Sequence, residues 1–381
     1  MSVSTRQSLL LAIVSLAIGA HSLSVPVYQP QGKVSKEDVA ARAFSRNLRG
    51  RSTATGVASD TTGFWLGSFD VGDSHGLTLN IDTGSPFLLV NPRILKPSPV
   101  SQDMDTTNGF TYDTTTPNGC GSANVSYQVF EDHVSFLRLT AENQNIFTAV
   151  LEESSPGVKT HVSGQGVVGL SMMPRELLSD STSTFFNRLC QQGDLDECRF
   201  GLAFGFDGTG TIVLGSNDES LYTGELAIEQ SNLDWTASGN LVVNGTDVIA
   251  ESDELAVFYD SGTNNIILPT KVARLLFSTL DIQAVEQNTP DCHRAVFGYY
   301  PCDKPPQVGF AIGDKFFDID PCRFQLEDNE NNNCTAAITG LDFPGSPGLW
   351  IVGQTWFQGK YGDFNAKDGS GVFELGVAML K

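Results

Sequence analysis

The sequence predicts a mostly β protein built from two related halves. Its 381 residues include 38 glycines, and from about residue 60 onward short alternating apolar runs are separated by Gly, Asn, Asp and Pro. Alternation with a period of two is typical of strands, and those separators are typical of turns. The one strong helix candidate begins near Ser183 and places Phe185, Phe186 and Leu189 on one face.

The first twenty residues predict a signal peptide. Arg6 precedes Leu9–Ala20, a mostly apolar run that ends in small residues. A transmembrane helix needs ~20 apolar residues, so this run is too short for an anchor, and no later run is long enough. We therefore expect residues 1–20 to be removed. The protein is expected to be secreted, to the outside of the cell or into an acidic compartment of the secretory pathway, without a membrane anchor.

Residues 21–51 are basic, whereas the rest of the chain is acidic. The first 51 residues hold seven of the 23 Lys and Arg but only two of the 44 Asp and Glu, which leaves 16 bases and 42 acids in residues 52–381. A basic segment ahead of an acidic body predicts a propeptide that is held by charge. Its release is expected at acid pH, or by cleavage after Arg49 or Arg51. The alternative interpretation is a disordered N-terminal tail.

The overall charge excludes two classes of partner. The formal net charge is −21 and the isoelectric point is about 4.4. Nucleic acids and anionic membrane surfaces are both bound by basic patches. We therefore expect neither nucleic acid nor a membrane surface as a partner.

A four-residue motif occurs twice, each time at the end of an apolar run. Leu77–Ile81 leads into Asp82–Ser85, which reads Asp-Thr-Gly-Ser. Leu255–Tyr259 leads into Asp260–Thr263, which reads Asp-Ser-Gly-Thr. We call these two motifs the first and the second turn.

Each turn is followed at similar distance by two apolar residues and a glycine. These elements are Val167–Gly169 and Ile351–Gly353, and they begin 85 and 91 residues after the aspartate of their turn. Repetition of both the turn and this later element predicts two structurally related halves, residues 52–230 and 231–381.

Two related halves that each carry such a turn predict a site for acid–base catalysis. A carboxylate at a strand end, followed by a hydroxyl residue and glycine, lies on a tight turn. If a pseudo-twofold axis relates the halves, Asp82 and Asp260 face each other and share one proton, because adjacent carboxylates do not both ionise readily. The charged member then takes a proton from water while the protonated member donates to a carbonyl oxygen. This chemistry is amide hydrolysis without a metal or a cofactor.

These motifs resemble those of the pepsin-like aspartic proteases. The resemblance runs from about Phe64 to the C-terminus and includes both turns, both later glycine elements, Trp235 and Trp350. It implies a bilobal β fold with the active site between the lobes, and a monomeric endopeptidase that cleaves proteins or peptides at acid pH. It also implies that Asp82 and Asp260 are the catalytic pair. The other implied active-site and substrate-binding residues are Thr83, Gly84, Ser85, Ser261, Gly262 and Thr263, of which Thr83 and Ser261 buttress the turns.

The family also has a hairpin flap whose tyrosine is followed by Gly-Thr-Gly, and here the chain departs from the pattern. The best counterpart is residues 111–114, so Tyr112 is the predicted flap tyrosine, with Tyr127 as the alternative. Leu89 stands where the family has tryptophan, and Gln354 stands where it commonly has an acidic residue. These departures bear on the pH profile and the flap, but they leave the aspartate pair in place.

Seven cysteines and three glycosylation sequons fit an oxidising, secretory route. Cys190 and Cys198 enclose a short polar loop and are predicted to pair. The four later cysteines allow three connectivities; the resemblance implies a bond between Cys302 and Cys334, and elimination then pairs Cys292 with Cys322 and leaves Cys120 free. The sequons begin at Asn124, Asn244 and Asn333.

Two other functions compete with proteolysis. Residues 164–169 match the glycine pattern of dinucleotide-binding proteins, but the repeat partner at residues 351–353 explains these glycines better. The second alternative is a catalytically impaired secreted binding protein on the same scaffold. The presence of both Asp82 and Asp260 favours the enzyme.

Overall fold

The computed structural model describes residues 54–60, 64–91, 93–116, 119–154, 165–172, 184–252, 257–289, 292–329, 332–342, 348–367 and 371–381. The predicted signal peptide and basic segment lie outside these residues, and so does Gly164. Several stretches within these ranges are described for the backbone only, and Tyr112, Cys120, Asn124 and Cys292 lie in them.

In its described residues, the first half consists of strands with one helix. The helix, α1, is Phe185–Gln192. The strands are β1 Ala54–Asp60, β2 Trp65–Val71, β3 Ser74–Asp82, β4 Leu88–Val90, β5 Gln102–Thr116, β6 Gly119–Phe136, β7 Leu139–Ser154, β8 Gly166–Gly169, β9 Arg199–Phe204, β10 Thr209–Leu214 and β11 Tyr222–Ser231.

The described part of the second half contains more short strands and two helices. The helices are α2, Thr270–Thr279, and α3, Gln354–Phe357, with a 3₁₀ turn at Pro321–Arg323. The strands are β12 Thr236–Ala237, β13 Asn240–Val243, β14 Asp247–Glu251, β15 Val257–Tyr259, β16 Ile266–Leu268, β17 Gln283–Thr289, β18 Cys292–Pro301, β19 Val308–Ile312, β20 Lys315–Asp318, β21 Gln325–Asn329, β22 Asn333–Gly340, β23 Trp350–Val352, β24 Lys360–Ala366 and β25 Phe373–Leu380.

One large sheet joins the two halves. Among the described residues it has thirteen strands, in the order β11-β25-β24-β9-β10-β1-β2-β3-β8-β4-β7-β6-β5. The last two strands of the chain therefore pair with strands of the first half. Arg199 on β9 reinforces this junction with two hydrogen bonds of 2.7 and 2.8 Å to the buried carboxylate of Asp363 on β24.

The predicted repeat is present as a repeat of strand pairing. In the first half, β8 lies between β3, to which it is parallel, and β4, to which it is antiparallel; β4 in turn is parallel to β7. In the second half, β23, β15, β16 and β22 repeat this arrangement with the same directions. Each turn therefore leaves its sheet beside the apolar-apolar-glycine element of its own half.

The predicted helix is confirmed, whereas α2 and the short α3 were missed. In α1 the side chains of Phe185, Phe186 and Leu189 are buried, and the Thr184 hydroxyl caps the N-terminus by accepting from Asn187 N at 3.1 Å. The α2 helix begins directly after Pro269 and buries an apolar stripe with the same helical spacing: Ala273, Leu276 and Phe277. The proline and the helical spacing of the apolar residues after it could have predicted this helix from the sequence.

The predicted bonds Cys190–Cys198 and Cys302–Cys334 are both present, whereas the expected Cys292–Cys322 pair is wrong. Cys322 lies on the 3₁₀ turn and has an exposed free thiol. Its backbone N–H donates to Asp320 Oδ1 at 2.8 Å. Elimination failed because the positions of cysteines along the chain do not show which thiol faces solvent. In the part of the chain that the structure describes, no helix is both long and apolar enough to cross a bilayer.

Candidate active site

The two turns are anchored within their own halves by backbone hydrogen bonds. Leu170 N, just after β8, donates to Asp82 O at 2.8 Å. In the second half, Asp260 N donates to Val352 O on β23 at 3.0 Å. Both aspartates therefore stand where a strand leaves the sheet, as the sequence motif predicts.

The hydroxyl residues of the turns bind each other across the two halves. Thr83 N donates to Ser261 Oγ at 3.1 Å, and Ser261 N donates to Thr83 Oγ1 at 2.9 Å. Each hydroxyl then donates to the opposite strand, Thr83 to Tyr259 O at 2.7 Å and Ser261 to Ile81 O at 2.8 Å. Because a hydroxyl accepts and donates at once, two side chains satisfy four buried backbone groups. This reciprocal pair fixes the turns face to face.

The carboxylates of Asp82 and Asp260 are hydrogen-bonded to each other. Burial, and then the charge and hydrogen bond of Asp260, raise the pKa of Asp82 well above its ordinary value. Backbone N–H groups oppose this shift, among them Gly84 N, which donates to Asp82 Oδ1 at 2.9 Å. Asp260 is 3% exposed and accepts from Gly262 N at 2.7 Å and from Thr263 Oγ1 at 2.5 Å. Asp82 therefore keeps its proton more readily than an ordinary aspartate, as expected when two adjacent carboxylates share one proton.

The glycine of each turn makes room for the carboxylate of the other. A Cβ atom on Gly84 would lie 2.6 Å from Asp260 Oδ1, and one on Gly262 would lie 2.2 Å from Asp82 Oδ1. Both distances are well inside van der Waals contact, so a side chain at either position forces the aspartates apart. The resemblance implied that these glycines are substrate-binding residues, and the structure adds this steric reason for them.

The glycines of the later elements have the same kind of role. A Cβ on Gly169 would lie 2.2 Å from Ser85 O, and a Cβ on Gly353 would lie 2.3 Å from Thr263 O. Each glycine therefore lets its strand pack directly on the backbone of a turn. This explains why the apolar-apolar-glycine element is repeated along with the turns, and it removes the basis for a dinucleotide site at residues 164–169.

Neutral groups support the second turn. Gln354 is 2% exposed, and its Nε2 donates to Asn264 Oδ1. The Gln354 N–H donates to Thr263 O at 2.7 Å. The amide that replaces the family's usual acidic residue therefore binds inside its own half.

The two candidate flap tyrosines lie on different strands. Tyr112 lies on β5 with its backbone opposite Ala123, within the long β5–β6 hairpin. Tyr127 lies on β6, is 3% exposed, and packs in a cluster with Leu89 and Phe147. Burial favours a packing role for Tyr127, so Tyr112 stays the predicted flap residue.

The sequons are placed on strands or turns. Asn124 is on β6, and Asn333 begins β22 next to the bonded Cys334. Asn244 is exposed in the turn between β13 and β14, with a φ of 53°. Within the described ranges, no group of three or more His, Cys, Asp or Glu side chains is arranged to hold a metal ion.

Comparison with known proteins finds similar sequences among proteases and peptidases. Vacuolar protease A of Arthroderma otae is 26% identical over 269 residues, which cover 68% of this chain and 62% of that protein. Major aspartyl peptidase 1 of Cryptococcus neoformans is 25% identical over 402 residues, covering 94% and 78%. Secreted aspartyl protease 1 of Malassezia globosa is 24% identical over 298 residues, covering 77% and 69%. The chain thus spans less than two thirds of the Arthroderma protein.

A structural comparison and a family model point to the same kind of protein as these relatives. The crystal structure of an aspartic proteinase from Irpex lacteus superimposes with a TM-score of 0.65 at 16% identity, covering 87% of this chain and 98% of that one. At that identity the likeness shows the bilobal, mostly β fold. The family model "Eukaryotic aspartyl protease" matches residues 65–373. The chain belongs to the eukaryotic aspartyl protease family.

Proposed function

We propose that this protein is a secreted aspartic endopeptidase, made as a zymogen, that hydrolyses peptide bonds at acid pH with a water molecule activated by Asp82 and Asp260. The observation that carries the proposal is the hydrogen bond between these two carboxylates, with the raised pKa of Asp82. Proteins and peptides are the proposed substrates, and the proposed active form is a monomer.

The chemistry follows from one shared proton. With the peptide carbonyl beside the pair, the charged carboxylate takes a proton from water, and the water oxygen bonds to the carbonyl carbon. The protonated carboxyl gives its proton to the carbonyl oxygen, so that a neutral tetrahedral diol forms. The proton taken from water then passes to the amide nitrogen, the C–N bond breaks, and the pair recovers its original protonation from the diol. No metal is needed in this sequence, because each proton transfer has a carboxylate partner.

Charge and relatives support the secreted, zymogenic form. One relative is named a secreted aspartyl protease and another a vacuolar protease, and both names fit the predicted signal peptide at residues 1–20. The basic segment 21–51 precedes a body with 16 bases and 42 acids. Acid protonates carboxylates of that body and weakens its attraction for the basic segment. We accordingly propose residues 21–51 as the propeptide and residues 52–230 and 231–381 as the two lobes.

Acid incubation of the purified full-length protein tests this proposal. At about pH 3–5, wild-type protein is expected to shorten itself near residue 51 and then to cleave haemoglobin, with inhibition by a statine-type inhibitor. Asp82→Asn is expected to do neither, because its turn carries no ionisable group. If a folded wild-type protein, with its N-terminal segment removed, neither binds the inhibitor nor cleaves, the proposal is wrong and a binding function on the same scaffold takes its place.

A further inference from the structure

A third buried aspartate lies close to the catalytic pair and is not used by the mechanism above. Asp234 is in the segment between β11 and β12, directly before Trp235, and is 2% exposed. Its φ of 46° lies in the left-handed region, which asparagine and aspartate adopt more readily than other non-glycine residues. Asparagine can therefore replace it without new backbone strain.

Asp234 and its neighbour bind three consecutive residues of the first half. Ser171 Oγ donates to Asp234 Oδ2, and Met172 N donates to Asp234 Oδ1 at 2.8 Å. Trp235 Nε1 donates to Leu170 O at 2.9 Å. The start of the second half thus holds residues 170–172, which directly follow β8, through three hydrogen bonds.

Those three residues in turn hold the first turn. Leu170 N donates to Asp82 O at 2.8 Å, and Ser171 N donates to Ser85 O at 3.2 Å. Two residues, Ser171 and Leu170, therefore link the Asp234 carboxylate to the backbone of a predicted catalytic aspartate. A change in the position or charge of Asp234 is transmitted to the first turn through Leu170 and Ser171.

Asp234 is also coupled electrostatically to the pair formed by Asp82 and Asp260. Its carboxylate is faced by Ser171 Oγ and Met172 N–H from the first half, by Trp235 N–H from its own segment, and by the charge of Asp260 from the second turn. Burial raises the pKa of Asp234 to about 6 in spite of the three donors, and the charge of Asp260 adds to the shift. Because such coupling is reciprocal, a charge on Asp234 makes the last proton of the catalytic pair harder to remove.

We propose that Asp234 is a positioning residue of the active site, which fixes the first turn through Ser171 and Met172 and extends activity towards higher pH. The inference rests on the proposed catalytic pair. Asp234 touches neither substrate nor water in this role; it acts by holding the turn and by disfavouring full ionisation of the two carboxylates.

The test compares the pH dependence of kcat/KM, from about pH 3 to 8, for the activated wild-type enzyme and its Asp234→Asn variant on one peptide substrate. The asparagine amide retains the hydrogen bonds to the first half, with its oxygen accepting from Met172 N and its nitrogen donating to Ser171 Oγ. We expect the alkaline limb of the profile to move to lower pH by about half a unit or more, since a nearby charge is lost. KM at the acid optimum is expected to stay near the wild-type value.

Two further variants complete the test. Asp303→Asn removes one charge from an exposed carboxylate that is bound to Asn332, and it is expected to keep the wild-type profile. Ser171→Ala keeps the Asp234 carboxyl but removes a donor that favours its charged form, so a smaller shift in the same direction is expected.

The outcomes separate the two proposals. If wild type is active and the folded Asp234→Asn variant has the same alkaline limb, or shares its shift with Asp303→Asn, the role of Asp234 is wrong and the proposed function stands. If Asp234→Asn does not fold, an unshifted Ser171→Ala profile overturns the role instead. Wild-type protein that cleaves nothing overturns the proposed function, and this inference with it.

Discussion

The first and second turns share a carboxylate, a buried hydroxyl that reaches across to the other half, and a glycine that admits the opposite aspartate. The groups that anchor each turn to the surrounding protein differ, and we call these groups the outer supports of the turns. The second turn is held within its own half by neutral groups of Gln354 and Asn264. The first turn is held through residues 170–172 by Asp234, a titratable residue from the other half. The groups that hold the two turns against each other repeat, whereas the next layer differs: it is neutral at the second turn and carries a titratable carboxyl at the first.

The largest expected effect comes from removing either carboxylate. Asp82→Asn and Asp260→Asn are each expected to lower kcat/KM by about a thousandfold or more at acid pH, because an amide neither takes a proton from water nor supplies one. Because these variants do not shorten themselves, the loss is measured as single-turnover cleavage of a fluorogenic peptide by wild-type and variant proteins whose N-terminal segment has been removed by another protease. Although Asp260 is the more buried of the two, equal losses are expected. A variant that keeps a tenth of wild-type activity contradicts the shared-proton mechanism.

The outer supports are expected to differ in how stability depends on pH. Asp234 has a pKa of about 6 when folded and an ordinary value of 3.8 when unfolded, so its stabilising effect is complete below pH 3.8 and is lost as the pH rises through 6. The unfolding free energy is expected to fall by about 3 kcal/mol over this range. Urea unfolding at pH 4 and pH 7, in an Asp82→Asn background that prevents self-cleavage, measures the change.

Matched variants assign this pH dependence to one turn. Asp234→Asn is expected to flatten it, because asparagine does not ionise. Gln354→Glu places a buried carboxyl beside the second turn and is expected to add a second fall between the same pH values, since burial raises the pKa of a carboxyl. An unchanged slope in Asp234→Asn shows that other carboxyls, such as Asp363, account for it.

Alanine at the turn glycines tests how tightly the carboxylates meet. Gly262→Ala places a Cβ 2.2 Å from Asp82 Oδ1, and Gly84→Ala places one 2.6 Å from Asp260 Oδ1. Both variants are expected to lose about a hundredfold in kcat, the effect of misplacing a reacting group by ~1 Å, with the larger loss in Gly262→Ala. Gly348→Ala is the control, because its Cβ meets nothing within 4 Å. Near-normal kcat in both turn variants means that the turns separate freely.

The smallest effects are expected for the hydroxyls that join the turns. Thr83→Ala and Ser261→Ala each leave a buried backbone N–H without its acceptor and are expected to cost about 1–3 kcal/mol of unfolding free energy. The double variant is expected to cost less than the sum, because each hydroxyl is also bound by the other residue's backbone. Thr83→Ser keeps the hydroxyl and is the control. Strict additivity in urea unfolding contradicts a reciprocal pair.

Much of the fold was predictable because its signals are local. The strand runs that end at Asp82 and Asp260 and the apolar face of α1 follow from residue periodicity. The short Cys190–Cys198 loop follows from spacing. The α2 helix was missed although a proline start and an apolar stripe mark it. The Cys292–Cys322 pair was wrong because cysteine counts carry no information about which side chains face solvent.

The sequence by itself determined that two carboxylates stand at strand ends, each followed by a hydroxyl and a glycine, since four adjacent residues specify such a turn. Only the tertiary structure decided what each group meets. The Thr83 and Ser261 hydrogen bonds join residues 178 positions apart, and the two glycines are required by the aspartate of the opposite turn. The role of Asp234 likewise depends on Ser171, 63 positions away. Steric limits and pKa values depend on neighbours in space, and here those neighbours come from the other half of the chain.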